Sequence, residues 1–147
     1  MNREIKFRAW DKVKKQWAFG YKELGGFSVF GELHILGELQ IKDLNNFEVM
    51  QFTGLLDKNG KEIYEGDVLE FFGNKKKPEH PYNEVFWQQE KGRWALRIIG
   101  KKIHSENAHG ETEIIGLNEQ QLERDEGYYI IIGNIYENPE LITPSKE

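Results

Sequence analysis

Carboxylates, imidazoles and lysines are the groups in this 147-residue sequence whose types and spacing suggest chemistry. Glu65 and Asp67 flank Gly66. In an extended segment that spacing puts both acids on one side of the backbone, as a metal-dependent hydrolase or nuclease would need. The simpler assignment, which we prefer, has Asp67 capping a corner and Glu65 facing water. The four imidazoles are His34, His80, His104 and His109. A zinc site needs several ligands to converge. Only His104 and His109, with Glu106, Glu111 and Glu113 nearby, approach that pattern, and they read as solvated loop residues. Asp57-Lys58-Asn59-Gly60-Lys61-Glu62 bears a faint likeness to a calcium loop, but the oxygen ligands are not spread over about twelve residues with a terminal bidentate Glu. It reads as a turn. Ser28, Ser105 and Thr112 sit on no Gly-x-Ser-x-Gly elbow, and no Gly-rich phosphate loop is present. We therefore expect no catalytic residue, no metal ligand and no cofactor.

The lysines point elsewhere. Lys75, Lys76 and Lys77, followed by His80 and Tyr82, form a stretch able to meet phosphates and stack a base. Lys12, Lys14 and Lys15 beside Trp10 and Trp17 offer a second such stretch. The whole-chain field opposes both, because 25 acids outnumber 20 bases, the net charge is −5 and the pI is near 5.5. Nucleic-acid binding through Lys75 to Tyr82 is thus the alternative, and protein contact the leading expectation.

The elements that must position these groups are mostly strands. Nine Phe, six Tyr and four Trp suit pleated, half-buried surfaces. Cysteine is absent, which removes disulfides, Cys-based zinc sites and thiol nucleophiles and favours a reducing compartment. The N-terminus alternates charge with apolar residues and lacks the apolar run of a signal peptide. No stretch approaches the ~18 apolar residues of a membrane span. The expectation is a cytoplasmic protein with no membrane partner.

Along the chain, residues 3–10 alternate, with Ile5, Phe7 and Ala9 on one face and Lys6, Arg8 and Trp10 on the other, predicting a half-buried strand. Trp17, Phe19 and Tyr21 continue at period two as the second arm of a hairpin. Short strands are expected at 33–35 and 39–41, and a strand from Phe47 to Thr53. Asp57 and Gly60 suit a type I turn. A corner at 63–67 leads into a strand from Val68 to Phe72, and the two prolines in 73–82 predict a loop. Strands at 84–88 and 93–99 flank a Lys91-Gly92 turn, with Trp94, Leu96 and Ile98 on one face. A polar stretch at 100–111 precedes a short strand near 112–115. Asn118 and Gln121 form a capping-box pattern, with Leu117 and Leu122 placed as a staple, predicting a helix near 118–126 of about two turns. Tyr128 to Tyr136 reads as a central strand stopped by Asn138-Pro139. A soft boundary near 43–46 separates an N-terminal β-hairpin unit (1–46) from a C-terminal β unit (47–142), with a polar tail at 143–147. Such a β protein, with many potential edges, is expected to shield them by forming a homo-oligomer.

Three blocks carry a family resemblance. Arg3-Glu4-Ile5-Lys6-Phe7-Arg8-Ala9-Trp10-Asp11 opens the chain. Met50 to Leu55 leads through Asp57-Lys58-Asn59-Gly60-Lys61-Glu62-Ile63-Tyr64-Glu65-Gly66-Asp67. Gly133-Asn134-Ile135-Tyr136-Glu137-Asn138-Pro139-Glu140-Leu141 closes it. In that order they resemble the YopX family of small phage and prophage proteins. The resemblance implies a mainly β protein with a C-terminal SH3-type small β-barrel over roughly 49–142, preceded by the N-terminal β unit. It also implies a bacterial cytoplasm and a phage or prophage origin, and it supplies no activity or active site. The expected role is that of a non-enzymatic accessory protein contacting itself and a phage or host protein. The matched residues Trp10, Asp11, Gly54, Gly60, Tyr64, Gly66, Asp67, Gly133, Asn134, Tyr136, Asn138 and Pro139 read as a structural motif.

Overall fold

The computed structural model describes residues 4–17, 45–73, 82–99, 114–124 and 127–142, and within them the chain is mainly β, with very little helix. Strands β1 (Phe7–Asp11), β2 (Gln16–Trp17), β3 (Phe47–Leu56) and β4 (Glu62–Tyr64) form one antiparallel sheet in the order β2-β1-β3-β4. Strands β5 (Asp67–Gly73), β6 (Tyr82–Gln88), β7 (Arg93–Ile99), β8 (Ile114–Gly116), β9 (Glu123–Arg124) and β10 (Gly127–Asn134) form a second, in the order β8-β7-β6-β5-β10-β9. One of the two sheets curls as half of a barrel.

Backbone bends allow the two sheets to meet. β3 is ten residues long, and its ladder to β4 shifts register between Phe52 and Leu56, around Gly54. Its first half pairs with β1, Phe47 opposite Asp11 and Gln51 opposite Phe7, so the N-terminal hairpin shares a sheet with residues beyond 46. β10 shifts register against β5 between Ile131 and Gly133, a bulge that bends the strand.

Two clusters fill the interior. Ile63, Leu69, Val85, Trp94, Leu96, Leu117, Leu122 and Tyr129 form the larger one, with Leu55, Phe71 and Ile131 packed against it. Trp10, Met50, Phe52 and Tyr64 form the smaller one, with Trp17 and Tyr136 alongside. The predicted face of Trp94 and Leu96 is thus the core face, and Asn118 caps as predicted, its side chain accepting from the Gln121 N–H at 2.9 Å.

Two expectations need correction. The helix α1 is a single turn, Glu119–Leu122, instead of a segment reaching 126. Glu123 is already extended (φ −136°, ψ 112°) because it enters β9 and pairs with Tyr128, and Gly127 opens β10 instead of closing a helix. The first strand is also more than half-buried: Arg8, Ala9, Trp10 and Asp11 are all buried, while Ile5 is exposed. Arg8 accounts for the difference, since it is held by an acid that alternation does not reveal. Phe19, Tyr21, the strands expected in 33–41 and the loops at 74–81 and 100–111 lie outside the described residues, as does the 143–147 tail.

Candidate functional site

The most organised group of charged side chains sits where β4 turns into β5. Gly66 adopts φ +81°, a conformation costly for any side-chain-bearing residue. The corner is held on three sides: Glu65 N–H donates to Gln51 O, Gly66 N–H to Val85 O, and Ile135 N–H to Gly66 O, each at 2.9 Å. That turn aims Asp67 inward, where its side chain is 2% exposed. One Asp67 oxygen accepts from the Tyr64 N–H at 2.8 Å, and the other accepts from the Arg8 guanidinium and from Asn134 Nδ2 at 3.2 Å. Asn134 is itself fixed by the Tyr136 N–H, which donates to its Oδ1 at 2.9 Å. The guanidinium of Arg8 lies between two rings, 4.3 Å from the centroid of Trp17 and 4.4 Å from that of Tyr64. Its Nε is buried without a hydrogen-bond partner, so ring faces take the place of an acceptor there. Burial pushes the Asp67 carboxyl above the ordinary range; Arg8, the Tyr64 N–H and Asn134 work against that push.

This knot joins β1, β4, β5 and β10, and its members Arg8, Tyr64, Asp67 and Asn134 all fall within the three sequence blocks that carry the family resemblance. A family model described as YopX protein matches residues 6–143, nearly the whole chain. The chain belongs to the YopX family. A solved structure, that of protein EF1440 from Enterococcus faecalis, is similar to this YopX-family chain at 28% identity and a TM-score of 0.56. The similarity covers 97% of this chain and 100% of that one. The comparison with curated proteins found no match.

Other residues singled out in this YopX-family sequence are placed as follows. Asp11 accepts from the N–H groups of Val13 and Lys14, shaping the β1–β2 turn. Trp10 is buried edge-on against Trp17, with ring centroids 5.1 Å apart. Gly54 and Gly60 both have positive φ. Gly133 lies under the Asn138-Pro139 turn, where a Cβ would meet Asn138 Oδ1 at 2.6 Å and Leu141 at 2.7 Å. Asn138 closes that turn by accepting from the Asn134 N–H.

Asp57 does more than begin a turn. Its Oδ1 accepts from the N–H groups of Asn59 and Lys61, and its Oδ2 accepts from the Ile131 N–H at 3.1 Å. The β3–β4 hairpin is thereby fastened to the bulge of β10, a link between residues 74 apart in sequence. Spacing alone gave no sign of it.

Glu65 and Asp67 do not face each other. With Asp67 in the knot, Glu65 accepts from the Gln51 N–H and lies toward Glu84 and Glu48. Burial pushes its carboxyl up, and those two acids add to the push. Glu84 is held by Arg97 through two bonds of 2.8 and 2.9 Å, and Glu48 by Lys12 at 3.1 Å. Among the described residues no group of three or more His, Asp or Glu could hold a metal ion. His34, His80, His104, His109, Ser28, Ser105 and Thr112 lie outside the described residues, as do Lys75, Lys76 and Lys77. Tyr82 begins β6 and is half-buried. Among the described residues no helix is long and apolar enough to cross a membrane.

Proposed function

We propose that this YopX-family chain is a non-enzymatic contact module: an SH3-type small barrel over roughly 49–142 that associates with a second copy of itself and, in a phage or prophage setting in the bacterial cytoplasm, with a phage or host protein. Trp87 carries this reading. It is 39% exposed, and its ring is fixed edge-on against buried Trp94 at 5.1 Å, with its indole N–H donating to Gln89 at 3.2 Å. A large ring already held in place loses little freedom on association, which is why tryptophan anchors so many protein contacts. Beside it, Trp94 joins Thr53, Leu55, Leu117 and Asn118 in lining an open groove of about 490 Å³. The best-organised acids, Asp67 and Asp57, are meanwhile bonded to arginine and backbone N–H groups, which suits a scaffold better than proton transfer.

Size-exclusion chromatography with light scattering tests the reading. The expected mass is a multiple of 17.3 kDa, reduced to the protomer by Trp87→Gln without a change in the circular dichroism spectrum. A wild-type protein that stays at the protomer mass at every concentration overturns it.

A further inference from the structure

Two arginines of this chain sit in seats made of an acid and an aromatic face. Arg8 bonds Asp67 between the rings of Trp17 and Tyr64. Arg97 bonds both oxygens of Glu84 while its guanidinium lies 4.6 Å from the Phe86 centroid. A third combination of acid and rings lies on the outer face of the six-stranded sheet, opposite the face on which Trp87 pairs with Trp94. There the strand registers put Ile130 across from Glu70 and Tyr128 across from Phe72. One further step along the β5–β6 ladder from Leu69 and Asn83 brings Tyr82 across from Glu70 on its other side. Glu70 and Phe72 are two residues apart, so both point outward, roughly 7 Å from each other along the strand. Phe72 is 41% exposed and stacks nearly parallel on Tyr128, with centroids 6.0 Å apart and planes 19° from parallel. The Lys58 ammonium, 5.6 Å from the Tyr128 centroid, is paired with Glu123. Glu70 is half-buried, and among the described residues its carboxylate has no hydrogen bond and no ion pair.

We propose that Glu70, with the rings of Phe72, Tyr82 and Tyr128, seats an arginine side chain of a partner protein. The inference rests on the reading of this chain as a contact module and names what one partner must present. A carboxylate among rings calls for a cation, and the rings favour one that can lie flat. A guanidinium pairs with the acid through its N–H fork and packs its face on aromatic carbon, as Arg8 and Arg97 do. An ammonium is a compact, strongly hydrated point charge that gains less from the same seat. The net charge of −5 likewise favours a basic partner over a polyanion. Of the arginines whose side chains are described, Arg8, Arg93 and Arg97 are bonded within the chain, to Asp67, Gln88 and Glu84. That points to a different protein as the source.

Fluorescence anisotropy of a labelled peptide of alternating glycine and arginine, titrated with the full chain, tests the proposal. Binding is expected, weaker for the matching lysine peptide and lost for the citrulline peptide, which keeps the shape without the charge. Glu70→Gln should weaken binding about tenfold or more. Phe72→Ala should weaken it about threefold, while Phe72→Tyr retains it. Glu90 is an exposed acid outside this face, so Glu90→Gln should leave affinity unchanged and controls for general attraction to an acidic chain. Circular dichroism spectra of the variants should match the wild type, and the citrulline comparison needs no variant at all. Absence of binding to the arginine peptide overturns the proposal, as does equal binding of the lysine or citrulline peptide. So does an equal loss from Glu70→Gln and Glu90→Gln. A Glu70→Gln variant that lowers the oligomer mass would also overturn it, by assigning this face to self-contact. Trp87→Gln should reduce the oligomer and leave arginine-peptide binding intact, so the failure of one surface is distinguishable from the failure of the other.

Discussion

The two interior clusters are held together by different physics. Around Leu69, Val85 and Leu96 the contacts are apolar and non-directional, so shape and volume govern stability. Around Arg8 and Asp67 an ion pair is embedded among Trp10, Trp17 and Tyr64, and each polar atom depends on a particular partner. A buried pair of this kind contributes little beyond what apolar residues of equal volume would, yet losing one member is costly because the other stays buried and unpaired. The apolar cluster resists change gradually; the knot fails at single atoms.

The largest expected effect follows from that asymmetry. Arg8→Ala should lower unfolding free energy by about 3–5 kcal/mol in a urea titration, because Asp67 is left buried without its counter-charge. Arg8→Lys should not restore it, since an ammonium cannot lie flat between the Trp17 and Tyr64 rings as a guanidinium does. Leu96→Met in the apolar cluster should cost less than about 1.5 kcal/mol. Equal losses from Arg8→Ala and Leu96→Met would erase the contrast between the clusters.

Gly66→Ala probes the corner that delivers Asp67 to the knot. The turn requires φ +81°, and an alanine Cβ would also press on Asn134 and Ile135 at 3.4 Å. A loss of about 1–2 kcal/mol is expected from the backbone conformation alone. A loss well beyond that range would show that the corner and the knot are coupled, which a double-mutant cycle with Asn134→Ala would measure.

The same contrast explains what could be read from the residues alone. The apolar cluster was legible because Trp94 and Leu96 repeat at the strand period, and Asn118 announced its cap. The knot was not, because Arg8 and Asp67 are 59 residues apart and each looks ordinary where it stands. Arginine alternating with apolar residues reads as a solvent face until its acid is found. The Asp57 link to Ile131 was hidden for the same reason. Helix length was overestimated because cap chemistry marks where a helix starts, while β9 pairing with β10 decides where it stops. Trp87 and Phe72 lie on opposite faces of one sheet, a distinction that only the strand register fixes.

Asn118→Ala is expected to cost about 1 kcal/mol, within the usual range for losing a cap. The affected turn seats Leu122 in the apolar cluster, so the loss should appear without any change in how stability depends on pH.

The smallest effect concerns Glu65 and has the opposite sign. Its carboxyl is pushed up by burial and by Glu84 and Glu48, so the folded state holds that proton more firmly than the unfolded state does. Its favourable contribution is therefore present below the ordinary glutamate range and is lost as pH rises through the raised folded value. Glu65→Gln, which cannot ionise, should raise the melting temperature slightly at neutral pH and leave it nearly unchanged in mild acid. Melting curves across that interval decide the matter. A variant less stable than wild type at neutral pH would mean that the Gln51 N–H bond to the carboxylate outweighs burial and repulsion. In that case Glu65 would belong with Asp67, as an acid the fold requires in its charged form.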